Sequence, residues 1–154
     1  MNKKLLALFM AVFFSITGIG TNNICAFAEE QGEDVMLSEV LTEDALVGYS
    51  ESQTWGVYLA QGVSFINNAG GGKIGCGGIT EAAVKCKVTV NAIVEKKVNG
   101  SWTRVTSWTA TNASAYTAAI SKTLSVASGY YYRVRSIHYA NTDASSSYTS
   151  ALWM

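Results

Sequence analysis

Apolar and polar positions alternate with period two from residue 84 to residue 94. Val84, Cys86, Val88, Val90, Ala92 and Val94 fall on one side, and Lys85, Lys87, Thr89, Asn91 and Ile93 on the other. Side chains of a strand project to opposite faces in turn, so this pattern predicts a β-strand with the small apolar set against a core and the lysines in water. Asn99-Gly100 follows, and Asn-Gly between extended segments signals a tight hairpin because both residues tolerate positive φ. The return strand is SWTRVTSWTA, from residue 101. Val, Thr, Tyr, Trp, Ser and Gly dominate after Ser50, and no helical period appears there. Further strands are expected over 55–60, 63–67, 73–79, 119–126, 130–140 and 146–153. Gly70-Gly71-Gly72, Ala127-Ser128-Gly129 and Asn141-Thr142-Asp143 separate several of them. The fold class is therefore all-β: an antiparallel β-sandwich of about seven to eight short strands.

The first 28 residues follow a different pattern. A basic MNKK precedes an apolar run from Leu5 to about Gly20, a polar stretch, and Ala26-Phe27-Ala28. These are the parts of a secretory signal peptide cleaved after Ala28. The apolar run is shorter than the ~20 residues a membrane-spanning helix needs, so no stable membrane insertion is expected after cleavage. Asn22, Asn23 and Ile24 lack the small residue expected just ahead of a lipid-modified cysteine at Cys25. The expected location is outside the cell or at the cell wall. Removing 28 of the 154 residues leaves 126, enough for one domain with its own core.

Charge divides what remains. Residues 29–51 hold eight acids and no Lys or Arg, whereas residues 52–154 hold nine cations against three acids, Glu81, Glu95 and Asp143. We read 1–28 as signal peptide, 29–50 as an acidic arm or propeptide, and 51–154 as the β-sandwich domain. Mutual repulsion opposes compaction of the arm, so a loose tether is one reading. The other has the arm folding back as a shield over the cationic domain. Leu37, Val40 and Leu41 could form one side of a short helix within it.

Val126-Ala-Ser-Gly-Tyr-Tyr-Tyr132 followed by Arg-Val-Arg resembles the corner between the fifth and sixth strands of fibronectin type III and immunoglobulin-like modules. An apolar residue, a turn glycine and a tyrosine occur there at this spacing, with Tyr148 to Trp153 standing for the last strand. The resemblance implies that the Tyr132 hydroxyl bonds back to the backbone of the corner. The proline usual at that corner is Ser128 here, and the chain contains no proline. As a whole the chain is similar to a family of small secreted Gram-positive bacterial proteins of unestablished function. That likeness implies export and a β fold.

Candidate chemistry is sparse. His138 is the sole histidine, and alternation from Tyr132 turns it inward with Val134 and Ser136, as a strand residue hydrogen-bonded to a neighbour. No Cys and His spacing supplies the three or four ligands a zinc site needs. Serine hydrolysis needs an oriented histidine, and glycoside cleavage usually needs two carboxyls across a cleft. One histidine and three scattered acids make both improbable, so neither an enzyme nor a cofactor is expected. A hairpin turn at Thr80-Glu81-Ala82 would set Cys76 opposite Cys86 on the inward side, where a disulfide is permitted by export. Buried free thiols are the alternative.

A two-residue turn at Asn99-Gly100 sets Glu95 opposite Arg104, Val94 opposite Val105 and Lys97 opposite Trp102. Trp102, Arg104 and Trp108 then share the outer face with Lys85, Lys87 and Lys97. A three-residue loop would bury both tryptophans but drag Arg104 inward, which is costly. We favour the first register. Tyr131, Arg133, Arg135 and Tyr139 form the exposed side of another strand and a second candidate surface. Exposed aromatics beside cations suit an anionic cell-wall polymer or polysaccharide, and no nucleic-acid recognition module is present. The expectation is a secreted, non-catalytic module binding such ligands. The alternative is a bacteriocin-like or toxin-like effector masked by its acidic arm.

Overall fold

The computed structural model describes residues 41, 43–50 and 56–154. The expected signal peptide and most of the acidic arm lie outside the described residues. Seven strands make up the fold: β1 (Leu46–Tyr49), β2 (Leu59–Gly70), β3 (Lys73–Val98), β4 (Ser101–Ser125), β5 (Tyr131–Ala140), β6 (Asp143–Tyr148) and β7 (Leu152–Trp153). Every strand pair is antiparallel.

Two of these strands are long. At 26 residues, β3 would span about 85 Å if straight, several times the ~13 Å radius of gyration of a domain this size, so it has to fold over. It does so near its middle. Its first part pairs with β2 and with the end of β4, from Lys73↔Ser125 to Glu81↔Thr117. Its second part pairs with β5 and with the start of β4. Between these parts the register shifts twice, from Glu81 to Cys86 and from Cys86 to Val88. Bulges bend a strand and increase its twist, which lets one hairpin serve two layers. The first layer is β1, β2 and the facing halves of β3 and β4; the second is β6, β5 and the other halves, with β7 beside β5. The outer edges of β1 and β6 also approach: a side chain at Gly48 would run into the backbone carbonyl of Tyr148, so glycine lets the layers nearly close into a barrel.

Several sequence expectations are corrected here. The turns that form carry residues at positive φ, at Gly71-Gly72, Asn99-Gly100 and Asn141. Thr80-Glu81-Ala82 offers no such residue, and the chain bends there without turning back. The segments expected at 73–79 and 84–94 are one strand, as are those at 101–110 and 119–126. Cys76 and Cys86 therefore lie ten positions apart along a single strand rather than opposite each other, and both are free thiols. At the bend the alternation slips, and Val84 is exposed while Val88, Val90, Ala92 and Val94 are buried as expected. Leu46–Tyr49, assigned to the arm on charge, pairs with β2 from Leu46↔Ile66 to Tyr49↔Val63, so the folded domain begins before residue 51.

The core between the layers is built from Ile66, Ile74, Cys76, Val88, Val90, Val94, Ile120, Tyr132 and Val134. Tyr132 is buried, and its hydroxyl donates to the Ala127 carbonyl at 2.9 Å, the bond expected at this corner.

Candidate functional site

The outer face of the second layer brings together most of the residues singled out in the sequence. The Asn99-Gly100 turn has the two-residue form: Val98↔Ser101, Lys97↔Trp102 and Glu95↔Arg104 pair as expected. The register then shifts, and Val94 pairs with Thr106 instead of Val105. Val105 is the extra, exposed residue of the bulge. Because a one-residue slip exchanges the faces of a strand, Trp108 lies opposite Ala92 and packs half-buried against the core. The expectation of an outward Trp108 is thus overturned, whereas Trp102 and Arg104 do face outward.

Glu95 also pairs across β3 and β5, where Glu95↔Arg133 and Ile93↔Arg135 are neighbours. The tryptophan hairpin and the exposed side of β5, two separate surfaces in the sequence reading, are consequently one continuous face. Arg133 is its centre. Its guanidinium carbon lies 4.3 Å from the Trp102 ring centre and 5.6 Å from that of Tyr148. Lys97 lies over the other reach of Trp102, at 5.8 Å. Glu95 is only 8% exposed, and its carboxylate accepts from Arg133 Nε at 2.7 Å and from Arg135 Nε at 3.3 Å. The Arg104 guanidinium donates to the Ser107 hydroxyl. Beyond the arginines, Tyr131 and Trp153 meet edge to face at 4.8 Å, whereas Lys96, opposite the inward Tyr132, belongs to the other side of β3, where it lies 4.2 Å from the Tyr130 ring.

Chemically, this is a guanidinium held between two rings and oriented by one carboxylate. Nε is engaged with Glu95, which leaves the terminal nitrogens of Arg133 as donors for a ligand. Four cations (Lys97, Arg104, Arg133 and Arg135) surround that single carboxylate, so the face is net positive. Glu95, Tyr148 and Trp153 were not singled out as site residues in the sequence. Glu95 looked like an ordinary partner of Arg104; Tyr148 and Trp153 joined the face only through the pairing of β6 and β7 with β5. Lys85 and Lys87 are exposed but belong to the bend, away from Trp102.

Replacing Glu95 with alanine should lower stability by about 2 kcal/mol, since two charged donors lose their acceptor and solvent offsets only part of that. Glu95→Gln keeps one acceptor and should lose about half as much. Urea midpoints of the two variants check this.

His138 lies elsewhere, sealed between the layers. Its Nδ1 is 2.8 Å from Thr80 Oγ1 and its Nε2 2.8 Å from Ser147 Oγ. Thr80 donates its hydroxyl to the Thr89 carbonyl, which leaves Thr80 Oγ1 to accept from Nδ1–H and Nε2 to accept from Ser147. Ser64 continues the chain, its hydroxyl 2.7 Å from Ser147 Oγ and 2.8 Å from Ser136 Oγ. Burial pushes the imidazole down to about 4, favouring its neutral form. No buried side-chain nitrogen or oxygen among the described residues lacks a partner. Burial likewise pushes the Cys76 thiol up to about 12, far from a reactive thiolate. Asp143 accepts from the backbone N–H groups of Tyr58 and Leu59, tying the start of β2 to β6. Among the described residues no cluster of three His, Cys, Asp or Glu could hold a metal ion.

No curated protein and no solved structure matches the chain. One family model does match, over residues 29–152, nearly everything that follows the expected signal peptide; the protein belongs to that family, described as a family of unknown function (DUF6147).

Proposed function

We propose that the protein is an exported, non-catalytic binding module whose aromatic and cationic face takes an anionic or glycan-like polymer of the cell envelope. The observation that carries this reading is Arg133, placed between Trp102 and Tyr148 and oriented by Glu95. A stacked guanidinium has its planar fork preorganised, so little side-chain entropy is lost when an anion binds. Flanking rings offer stacking area for sugar faces, and the surrounding cations steer approach.

The basic, apolar and small-residue order of residues 1–28 supports export, and with it a ligand at the cell wall. The likeness to secreted Gram-positive proteins points the same way. Tyr132 and its bond to Ala127 support a relation of the C-terminal corner to immunoglobulin-like modules. No reaction is proposed for His138, because both ring nitrogens are engaged and the side chain is wholly buried.

Retention of the protein on purified cell walls and on anionic polymers tests the reading. Binding should fall steeply between about 0.1 M and 1 M salt, as the screening length shortens from ~10 Å to ~3 Å. Trp102→Ala and Arg133→Ala should each weaken it about tenfold, equivalent to ~1.4 kcal/mol. Equal retention of both variants and the parent would sink the assignment of the face.

A further inference from the structure

Among the described residues β4 pairs with β3 alone, so its other edge is unpaired along its length. The opposite flank of the molecule is closed differently: β1 and β6 are short, and their edges approach at Gly48 and Tyr148. An unpaired edge presents a row of free N–H and C=O groups to any second strand, and natural sheets guard it with charge, proline or bulges. In the first layer the exposed Lys122 stands on β4 as such a guard. The second layer has none. There the bulges at Val105 and at residues 113 and 114 bound a regular segment, 106–112, which pairs without a slip from Val94↔Thr106 to Val88↔Asn112. That segment, TSWTATN, holds no charge, no proline and no glycine. It is also where the core is incompletely covered. Trp108 and Ala110 point inward yet are only half-buried, whereas their β3 partners Ala92 and Val90 are sealed.

We propose that a second copy of the chain pairs there, edge to edge and antiparallel, about a two-fold axis at Thr109. An axis perpendicular to a sheet pairs an antiparallel edge with itself. Charge selects where it passes. An axis at Ala113, midway between Arg104 and Lys122, would set each Arg104 against the other copy's Lys122, in a domain already net cationic. An axis at Thr109 avoids this and sets Thr106 against Asn112, Ser107 against Thr111 and Trp108 against Ala110. Hydroxyls then face hydroxyls on the outer side. On the inner side a large ring lies beside a methyl, and each core gains the cover it lacks at Trp108. A neutral edge matched large to small by its own sequence suits a second copy better than an acidic peptide, which the cations of the outer face would draw away.

The opposed segments exchange about six to eight backbone hydrogen bonds. The joined sheet keeps outward side chains on one side, so the two Arg133 faces look the same way. Their β5 strands lie five spacings of ~4.8 Å, about 24 Å, apart. A long polymer can then engage both at once. That consequence rests on the ligand reading of the face; the dimer does not.

Sedimentation equilibrium and amide exchange of the exported chain test the pairing. The parent should run as a monomer in equilibrium with a dimer, and exchange at residues 106–112 should slow as concentration rises. Thr109→Lys and Thr109→Glu, at an exposed site, should each weaken association about tenfold through like charges at the axis, and an equimolar mixture of the two should restore it. Tyr49→Lys, exposed on the opposite flank, should leave the mass unchanged. A parent that stays monomeric at about 1 mM overturns the proposal. Slow exchange at 106–112 that is independent of concentration overturns it too, since a segment of the same chain then occupies the edge. So does dissociation by Tyr49→Lys, or a mixture of the Thr109 variants that fails to associate. The exchange measurement on the parent needs no variant to fold. None of these readouts involves cell walls, so a failed dimer and a failed binding face are distinguished.

Discussion

Replacing His138 with alanine is expected to cost about 3 to 5 kcal/mol of stability, read as a large drop in the urea midpoint at neutral pH. Two losses combine. A fully buried ring is removed from beneath Gly62, where the packing is close enough that even a methyl on Gly62 would strike the imidazole. Thr80 and Ser147 also lose the group that joins them, and the hydroxyl chain through Ser64 to Ser136 is left with one end free.

The pH dependence has a definite sign. The imidazole is held neutral in the fold, down at about 4, against an ordinary value near 6.5. Between those values the unfolded chain binds the proton more readily, so stability is fully present above about pH 6.5 and is lost as the pH falls towards 4. At 1.36 kcal/mol per pH unit the loss approaches about 3 kcal/mol. His138→Gln keeps a donor and an acceptor but cannot titrate. The difference between its stability profile and that of the parent, from pH 7 to pH 4, isolates the histidine; parallel profiles would show that His138 is not held neutral.

Gly77→Ala is expected to lower stability by about 3 kcal/mol or more, at the upper end for a small-to-large change. A β-carbon at Gly77 would collide with the backbone carbonyl of Ile120 on β4 and with the tip of the Phe65 ring. The ring could swing aside, at the expense of its packing with Val63 and Ile79. The carbonyl cannot move without prying β4 from β3. Gly75→Ala is the informative comparison, because a methyl there meets only the flexible end of the Asn67 side chain. Thermal unfolding of both variants should show a much larger shift for residue 77. Similar shifts would mean that backbone freedom, rather than the contact with Ile120, explains the glycine.

Much of the fold was legible residue by residue. Period-two alternation identified the inward set Val88, Val90, Ala92 and Val94, and placed Tyr132, Val134, Ser136 and His138 on one side of β5. Positive-φ residues marked the hairpin at Asn99-Gly100. The same logic failed at Thr80-Glu81-Ala82, where a change in apolar pattern was read as a turn. What changes the pattern there is a bend in a continuous strand, and bends and turns interrupt alternation alike. The cysteine pairing fell with that turn.

The candidate site was legible only in part, for a related reason. Trp102, Lys97, Arg104, Arg133, Arg135 and Tyr131 could each be assigned to an outward side from local register. Trp108 could not, because the bulge at Val105 exchanges the faces beyond it. The union of the two surfaces depends on β5 lying beside β3, a pairing between residues nearly 40 apart, as for Glu95 and Arg133.

By itself, then, the sequence determined the all-β class, the strand faces, the tight hairpin and the division between an acidic arm and a cationic domain. These follow from short-range steric preference and from side-chain alternation, which act within a few residues. Only the tertiary structure decided that β3 and β4 fold over to serve both layers, that Arg133 lies between Trp102 and Tyr148, and that His138 closes a buried hydroxyl chain. Each of those depends on which strands become neighbours, and neighbours are selected by the burial of the whole apolar set at once.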